Sequence, residues 1–414
     1  LRNSLAKLGG FSAAPLMVSV ASVISVPLLL TSVGESVWVS IAVGQAVGDL
    51  ARSLVAWSWN SVGLTVIAKL SPEQRVAYYL DSIAPRLLLL VPALVGVTIF
   101  ALLWPLEDNL LAWLAAVAGA IFGLNGTWAF IGSREPKLLV LYNSVPRTIS
   151  ILVGALITFI TEEGIYFPLA LILGNLAAAI GPTVKILARK RQLDVEWKPA
   201  TIRAMARLLR DNFSGFTVGF LMAARMSAPV MLAPIIVPAG AGVVALAEKI
   251  IRWANTGLTP AMQFIQTGIP TVDGDDNEKA MAGVRRAWVA APLIGLVVGL
   301  GTPLAASILS NGHITIGFGG ATAVGLIVMS IFAGNVVGNG ALVVLDKVRL
   351  VAKIALAGLM ILLAVAFALP PVAGDYAVIF GFAASEIFIC TTLTVIVLSL
   401  ANRSGPSKEH RGKP

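Results

Sequence analysis

The sequence predicts an all-α polytopic membrane protein of about twelve transmembrane helices in two pseudo-symmetric six-helix lobes, with both termini in the cytoplasm. Three observations predict it: the composition, the recurrence of apolar runs of span length, and the alternation of basic residues on the connections. Of the 414 residues, 57% are hydrophobic and only 12% are charged, with a mean hydropathy of +0.88. A soluble domain carries about twice that charged fraction. A helix needs roughly 20 apolar residues to cross a ~30 Å hydrocarbon layer, and runs of that length recur from end to end.

Charged residues bracket each apolar run in turn. Span one, 10–31, follows Arg2 and Lys7 and stops short of Glu35; span two, 36–68, ends at Lys69. Span three, 82–104, lies between Arg75 and Glu107, and span four, 109–132, between Asp108 and Arg134. Span five, 138–160, runs from Lys137 to Glu162, and span six, 165–187, from Glu163 to Arg189. Span seven, 211–237, follows Arg210, and span eight, 240–268, precedes Lys279. Span nine, 287–310, lies between Arg286 and His313; span ten, 318–345, ends before Lys347. Span eleven, 350–370, follows Arg349, and span twelve, 375–401, precedes Arg403. Several exceed a minimal span, which tilting, kinking or extension beyond the bilayer accommodates.

Lys and Arg fall on one set of alternate connections and are absent from the other, which holds Glu35, Glu107, Asp108, Glu162, Glu163, His313 and Asp375. The positive-inside rule then places both termini in the cytoplasm. The net charge of +9 is thereby a topology signal, not a nucleic-acid surface. The long basic connection divides the chain into an N-terminal six-helix lobe (1–190), a basic cytoplasmic linker (191–210), a C-terminal six-helix lobe (211–401) and a basic cytoplasmic tail (402–414). The outer connections are short. Cys390 is the single cysteine, so the chain forms no internal disulfide and no cysteine metal site. The sequence starts at Leu1, and the first apolar run can itself serve as a span without a cleavable signal.

Two pairs of segments recur in order. "FSAAPLMVSVASVISVP" (11–27) and "FSGFTVGFLMAARMSAP" (213–229) share Phe, Ser, a later Ser and Pro; "WNSVGLT" (59–65) and "WANTGLT" (253–259) share Trp and Gly-Leu-Thr. Span one thus echoes span seven, and span two echoes span eight. Repeats separated by six spans are parallel, and transporters place substrate near such a repeat interface.

The same four spans carry the polar stripes. Residues three or four apart share a helix face, which aligns Gln45, Asp49, Arg52 and Asn60 on span two. On span eight it aligns Glu248, Arg252, Asn255, Thr259, Gln263 and Gln266, with Lys249 to one side; span seven carries Arg225, and span one lines up Ser12, Ser19, Ser22 and Ser25. A charge at the bilayer centre costs at least ~2.5–3.5 kcal/mol. The four cations Arg52, Arg225, Lys249 and Arg252 face only two carboxylates, Asp49 and Glu248. Pairing Asp49 with Arg52 and Glu248 with Arg252 would be structural; the surplus of cations favours a water-filled, cationic substrate cavity between two lobes.

Glu386, midway along span twelve, reads either as a hydrogen-bonded carboxyl or as a proton or cation site. Arg86 and Arg147 lie toward span ends and read as snorkelling. Gly119/Gly123, Gly295/Gly299 and Gly334/Gly338 read as close helix contacts, Asn335 and Asn339 as interhelical hydrogen bonds, and His313 as a solvated loop residue. The sequence carries no metal-ligand spacing, Walker loop, nucleophile elbow or Rossmann glycines. No metal or other cofactor is implied, and neither ATP hydrolysis nor other enzymatic activity is expected.

"WAFIGSREPKLLVLYNSVPRTISILVG" (128–154) resembles the fourth-to-fifth span region of bacterial Wzx-type oligosaccharide flippases, and "AEKIIRWANTGLTPAMQFIQTGIP" (247–270) resembles their eighth span. That family is the polysaccharide transport branch of the multidrug/oligosaccharidyl-lipid/polysaccharide (MOP) exporter superfamily. The resemblance covers the chain as a twelve-span pattern. It implies two MATE-like six-helix lobes and alternating access in the bacterial inner (plasma) membrane. It also implies outward transfer of a polyprenyl-(pyro)phosphate-linked oligosaccharide for cell-envelope polysaccharide synthesis. The family's cationic cavity corresponds by location to Arg52, Arg225, Lys249 and Arg252, and Asp49, Glu248 and Glu386 are the candidates for coupling to H⁺ or Na⁺. The expected partners are the lipid-linked substrate, membrane lipids and polysaccharide-assembly proteins, around a functional monomer; no nucleic acid is expected.

Alternatives differ in testable ways. A MATE-like drug or metabolite exporter of the same fold would want an acidic cavity for organic cations. Lipid II flippases usually carry two further spans. A membrane glycosyl polymerase or ligase would need a substantial outer loop.

Overall fold

The computed structural model describes residues 2–199, 201–267, 276–338 and 348–403. The side chains of Arg2, Lys7, Ser12, Gln263, Gln266, Lys279, Arg349 and Arg403 lie outside the described set, as do Asn339, Lys347 and the tail beyond Arg403. The described residues are nearly all helical and include no strand. The chain forms two compact units, Leu1–Glu248 with Ala306–Thr315, and Lys249–Ala305 with Ile316–Pro414.

The first unit opens with α1, Arg2–Ala56, 55 residues in which Gly34 leaves helical geometry (φ 78, ψ 171). At 1.5 Å per residue that is about 80 Å of helix, more than two crossings of a ~30 Å core. Gly34 supplies the positive φ that L-residues resist. Beyond α1, Trp57 also takes a positive φ of 49. Its ring stacks on Phe216, with centroids 3.9 Å apart and planes 5° from parallel. Its Nε1 donates to the Leu209 carbonyl at 3.0 Å. These contacts over-determine a backbone that tryptophan would otherwise avoid. A π-helical turn, Trp59–Gly63, then leads into α2, Leu64–Lys69.

Helix α3, Pro72–Leu103, starts at a capping box. The Ser71 side chain accepts from the Gln74 amide, the Gln74 side chain accepts from the Ser71 amide, and proline occupies the first turn. This arrangement satisfies two orphan amides. Helix α4, Asn109–Phe122, is capped by Asp108, whose carboxylate accepts from Leu111 N. Short helices α5 (Thr127–Gly132) and α6 (Pro136–Leu139) and a second π-helical turn (Val140–Ser144) lead into α7 (Val145–Thr161) and α8 (Tyr166–Gln192). Helix α9, Ile202–Asp211, is capped by Thr201; α10 is Phe213–Ile236 and α11 is Ala241–Thr267.

Helices α1 and α4 meet through small residues. Gly44 faces Ala112 and Gly48 faces Gly119 so closely that a Cβ on Gly44 or Gly119 would strike backbone. Asn175 of α8 ties in by donating to the Ala118 carbonyl at 2.8 Å.

The second unit comprises most of α11, with α12 (Asp276–Leu309) as far as Ala305, α13 (Phe318–Val337), α14 (Val348–Ala368), the short α15 (Pro370–Ala373) and α16 (Ala377–Arg403). Its core joins Met262, Ala287, Ala291, Phe332, Ala333, Val336 and Cys390. Gly295 and Gly299 of α12 approach the backbone of Gly325 on α13, and Trp288 Nε1 donates to Thr394 Oγ1 at 3.2 Å.

Each unit turns apolar stripes outward. Helix α3 presents Leu87, Leu88, Val91, Val95, Ile99 and Leu102, each at least 49% exposed; α12 presents Val289, Leu293, Leu296, Leu300, Leu304 and Ile308, each at least 58% exposed. Such continuous apolar faces are untenable in water and match hydrocarbon. Ten described stretches are long and apolar enough to cross a membrane. The sequence's twelve differ at two places. Ala13–Ala56 counts as one stretch although Gly34 divides it. Ala241–Thr267 does not qualify, because its polar stripe lowers its hydropathy.

Candidate functional site

Of the span-two stripe, Gln45, Asp49 and Arg52 lie on α1, whereas Asn60 falls beyond Trp57 in the π-helical turn. Asp49 and Arg52 lie one turn apart on α1, with Arg52 Nη2 3.3 Å from Asp49 Oδ1. Both side chains are partly exposed, at 35% for Arg52 and 22% for Asp49. The Arg52 guanidinium lies 5.6 Å from the centroid of Phe122, at the end of α4.

The same ring holds a second cation. The Arg147 guanidinium sits 4.0 Å from the Phe122 centroid, within electrostatic range of both Arg52 and Asp49. Cation–π attraction offsets part of the cost of placing two guanidinium groups near one ring. Arg147 is therefore not the snorkelling residue its position suggests: it reaches inward from the first turn of α7 to the Asp49–Arg52 pair. Its i,i+3 neighbours give no hint of this, because Phe122 and Arg52 are brought to it from other helices.

Arg86 is also not at an interface with solvent. It is 2% exposed. Nε donates to Ser82 O at 3.0 Å, Nη1 to Leu124 O at 2.9 Å and to Asn125 O at 3.0 Å, and Nη2 to Ser82 Oγ at 2.9 Å. Trp59, Tyr79 and Trp128 surround it at 5.6–5.9 Å. This is a structural guanidinium that binds the chain around 124–125 to α3.

Arg225, midway along α10, is 6% exposed and has Nη2 3.4 Å from Met222 Sδ. Glu248 on α11 is 4% exposed and closes the first unit's main segment. In the second unit Lys249 and Arg252 are partly buried on α11. The Thr256 hydroxyl donates to the Arg252 carbonyl and the Thr259 hydroxyl to the Asn255 carbonyl, so both point back along their own helix. Glu386 on α16 is 2% exposed. Asn335 Nδ2 approaches Met262 Sδ at 3.8 Å, an interhelical contact of the kind expected. His313 lies within electrostatic range of Glu35, whose carboxyl is pushed above its usual range by burial. Among the described residues no group of His, Cys, Asp and Glu could hold a metal.

These features define a multi-pass helical membrane protein with charged groups buried inside its helical units. Its fold is that of the MATE transporters. The chain is similar to the eukaryotic MATE transporter AtDTX14, at 14% identity and a TM-score of 0.58, over 97% of this chain and 98% of that one. It is similar to the MATE multidrug transporter DinF-BH, at 16% identity and a TM-score of 0.57 over 95% of each. A MATE solved with MaL6 aligns at 11% identity and a TM-score of 0.58 over 96% of each. No protein-family model and no curated protein matches the sequence.

Proposed function

We propose that this chain is a MATE-like transporter that flips a polyprenyl-(pyro)phosphate-linked oligosaccharide from the cytoplasmic to the outer leaflet of a bacterial plasma membrane by alternating access. The observation that carries this reading is the surplus of guanidinium over carboxylate inside the helices: Arg52 and Arg147 converge on Phe122 with Asp49 beside them. A pyrophosphate is a dense anion that hydrocarbon excludes, and arginine forks match its oxygens bidentately. Arg225 of the same unit, and Lys249 and Arg252 of the other unit, are proposed as further substrate-binding cations, and Ser, Thr, Asn and Gln are proposed as polar contacts for sugars. The isoprenoid tail stays in the bilayer. Asp49, Glu248 and Glu386 are the groups proposed to take up H⁺ or Na⁺ when the transporter resets.

A second reading, export of a drug or metabolite, is favoured by the fold shared with a MATE multidrug transporter. Native mass spectrometry of the purified full-length protein separates the two. The flippase is expected to carry a polyprenyl-linked glycan, and Arg225→Ala and Arg252→Ala are expected to lose it while melting normally. Protein devoid of such a lipid that instead confers drug efflux would favour the second reading.

A further inference from the structure

We infer that α9 is a contact for anionic membrane lipid: Arg203, Arg207 and Arg210 engage headgroup phosphates while Ile202 and Met205 enter the acyl boundary beside them. The contact requires no particular cargo, so it is independent of the flippase reading. Three observations lead there.

The helix has two faces. Residues three or four apart share a helix face, so Ile202, Met205 and Leu209 form one stripe and Arg203, Arg207 and Arg210 form another. Between Lys198 and Asp211 the chain holds four cations and one carboxylate. Arg203 and Arg207 are exposed. Arg210 Nε lies 3.8 Å from Asp211 Oδ1, with the two side chains 83% and 58% exposed. Such a surface pair is worth little and leaves the guanidinium open to a phosphate.

The apolar stripe outruns the protein that covers it. Leu209 packs against the cluster containing Trp59, Tyr79 and Trp128, and its carbonyl accepts from Trp57 Nε1 at 3.0 Å. Ile202, two turns earlier on the same stripe and about 10 Å away, is 82% exposed. It lies between the membrane-crossing stretches Tyr166–Gln192 and Phe213–Ile236. The hydrocarbon that accounts for the outward faces of α3 and α12 therefore does not account for Ile202.

Both ends of α9 are held where spans end. Before it, Trp197 Nε1 donates to Asp81 Oδ1 of α3 at 2.8 Å, and Lys190 Nζ of α8 lies 5.7 Å from the Trp197 ring centroid. After it, Asn212 alone separates α9 from α10, and its dihedrals (φ −99, ψ 7) interrupt the helix there. These ties confine α9 to the headgroup level. A basic helix with one apolar face suits that layer, where each Lys or Arg adds attraction to anionic lipid. A protein partner would satisfy the apolar stripe but would not explain why the cations sit beside it at the level of the lipid phosphates.

The test uses full-length protein in a Cys390→Ala background, which removes the single native cysteine. A nitroxide is attached at Ile202→Cys or at Arg207→Cys, and the protein is reconstituted into vesicles of phosphatidylcholine alone or mixed with phosphatidylglycerol. Accessibility is measured by electron paramagnetic resonance with oxygen, which concentrates in lipid, and with a neutral nickel chelate, which stays in water. In the mixed vesicles the label at 202 is expected to meet oxygen and be shielded from nickel, and the label at 207 to meet nickel. In phosphatidylcholine alone the label at 202 is expected to move toward water. Arg203→Gln, Arg207→Gln and Arg210→Gln are each expected to lower the docked-to-released ratio about fivefold in the mixed vesicles, with high salt acting in the same direction. The corresponding Lys variants are expected to keep most of it, since the attraction is to charge. A label at 202 open to nickel in both vesicle types overturns the inference. So does one shielded from both reagents, which would mean that protein covers the stripe. Docking indifferent to phosphatidylglycerol and to the Gln variants overturns the anionic selectivity.

Discussion

Arg86 donates to three carbonyls and a hydroxyl from the centre of an aromatic cage. Removing it leaves the Leu124 and Asn125 carbonyls without these donors, in a region water does not reach. Arg86→Leu is expected to cost about 3 kcal/mol or more, seen as a lowered melting temperature in detergent. Arg86→Lys is expected to recover little, because an ammonium cannot span carbonyls in a plane. A leucine variant as stable as the wild type would show that the cage does not support the fold. Sequence position misleads for Arg86 and Arg147 in the same way. Both lie toward span ends, where snorkelling is the ordinary fate of arginine. What redirects them is an aromatic surface assembled from other helices, Trp59, Tyr79 and Trp128 for one and Phe122 for the other. Asp49 and Arg52 were legible because their relation is local, a spacing of three along one helix.

Helices were legible wherever hydropathy alone decides them, and less so where tertiary contacts set the backbone. The π-helical turns at Trp59–Gly63 and Val140–Ser144 carry no local signal. The first follows a tryptophan held in a left-handed conformation by Phe216 and Leu209. Glycine pairs were legible in part. Gly119 meets Gly48, and Gly295 and Gly299 meet Gly325, at backbone distance, whereas Gly334 meets Cys390 only at ordinary van der Waals range. Two substitutions separate the two uses of glycine. Gly119→Val is expected to push α4 from α1 and to abolish stable expression, because a side chain there strikes Gly48 backbone. Gly34→Ala meets nothing within 4 Å, so its cost is the backbone's alone, about 1–3 kcal/mol. Comparable melting temperatures for the two variants would contradict this distinction.

For the molecule as a whole, the proposed cargo makes the membrane potential a driving force. Each unit charge leaving an interior-negative cell gains ~2.3 kcal/mol per 100 mV, so a doubly charged headgroup gains roughly 4–5 kcal/mol at that potential. Flipping in proteoliposomes is expected to accelerate, and to end further toward the outer leaflet, when a potassium-diffusion potential of that sign is imposed. Indifference of both rate and end point to the potential and to ion gradients would point to passive exchange. The fold class at this scale was legible from composition and the recurrence of apolar runs. The assignment of chain segments to compact units was not, because it depends on contacts between residues hundreds of positions apart.

One such contact has a consequence for how the protein can be divided. The chain leaves its first unit after Glu248, returns for Ala306–Thr315 and leaves again. During that return, Asn311 Nδ2 donates to Thr31 Oγ1 at 2.8 Å. No single peptide-bond scission therefore yields two whole units. A cut near residues 193–199 would leave the C-terminal fragment holding α9, α10, the start of α11 and the returning segment, all of which belong to a body whose remaining helices, α1 to α8, are on the N-terminal fragment. Split this way, the two polypeptides are expected to require synthesis in the same cell, each serving as the other's folding template, and neither is expected to accumulate when expressed alone.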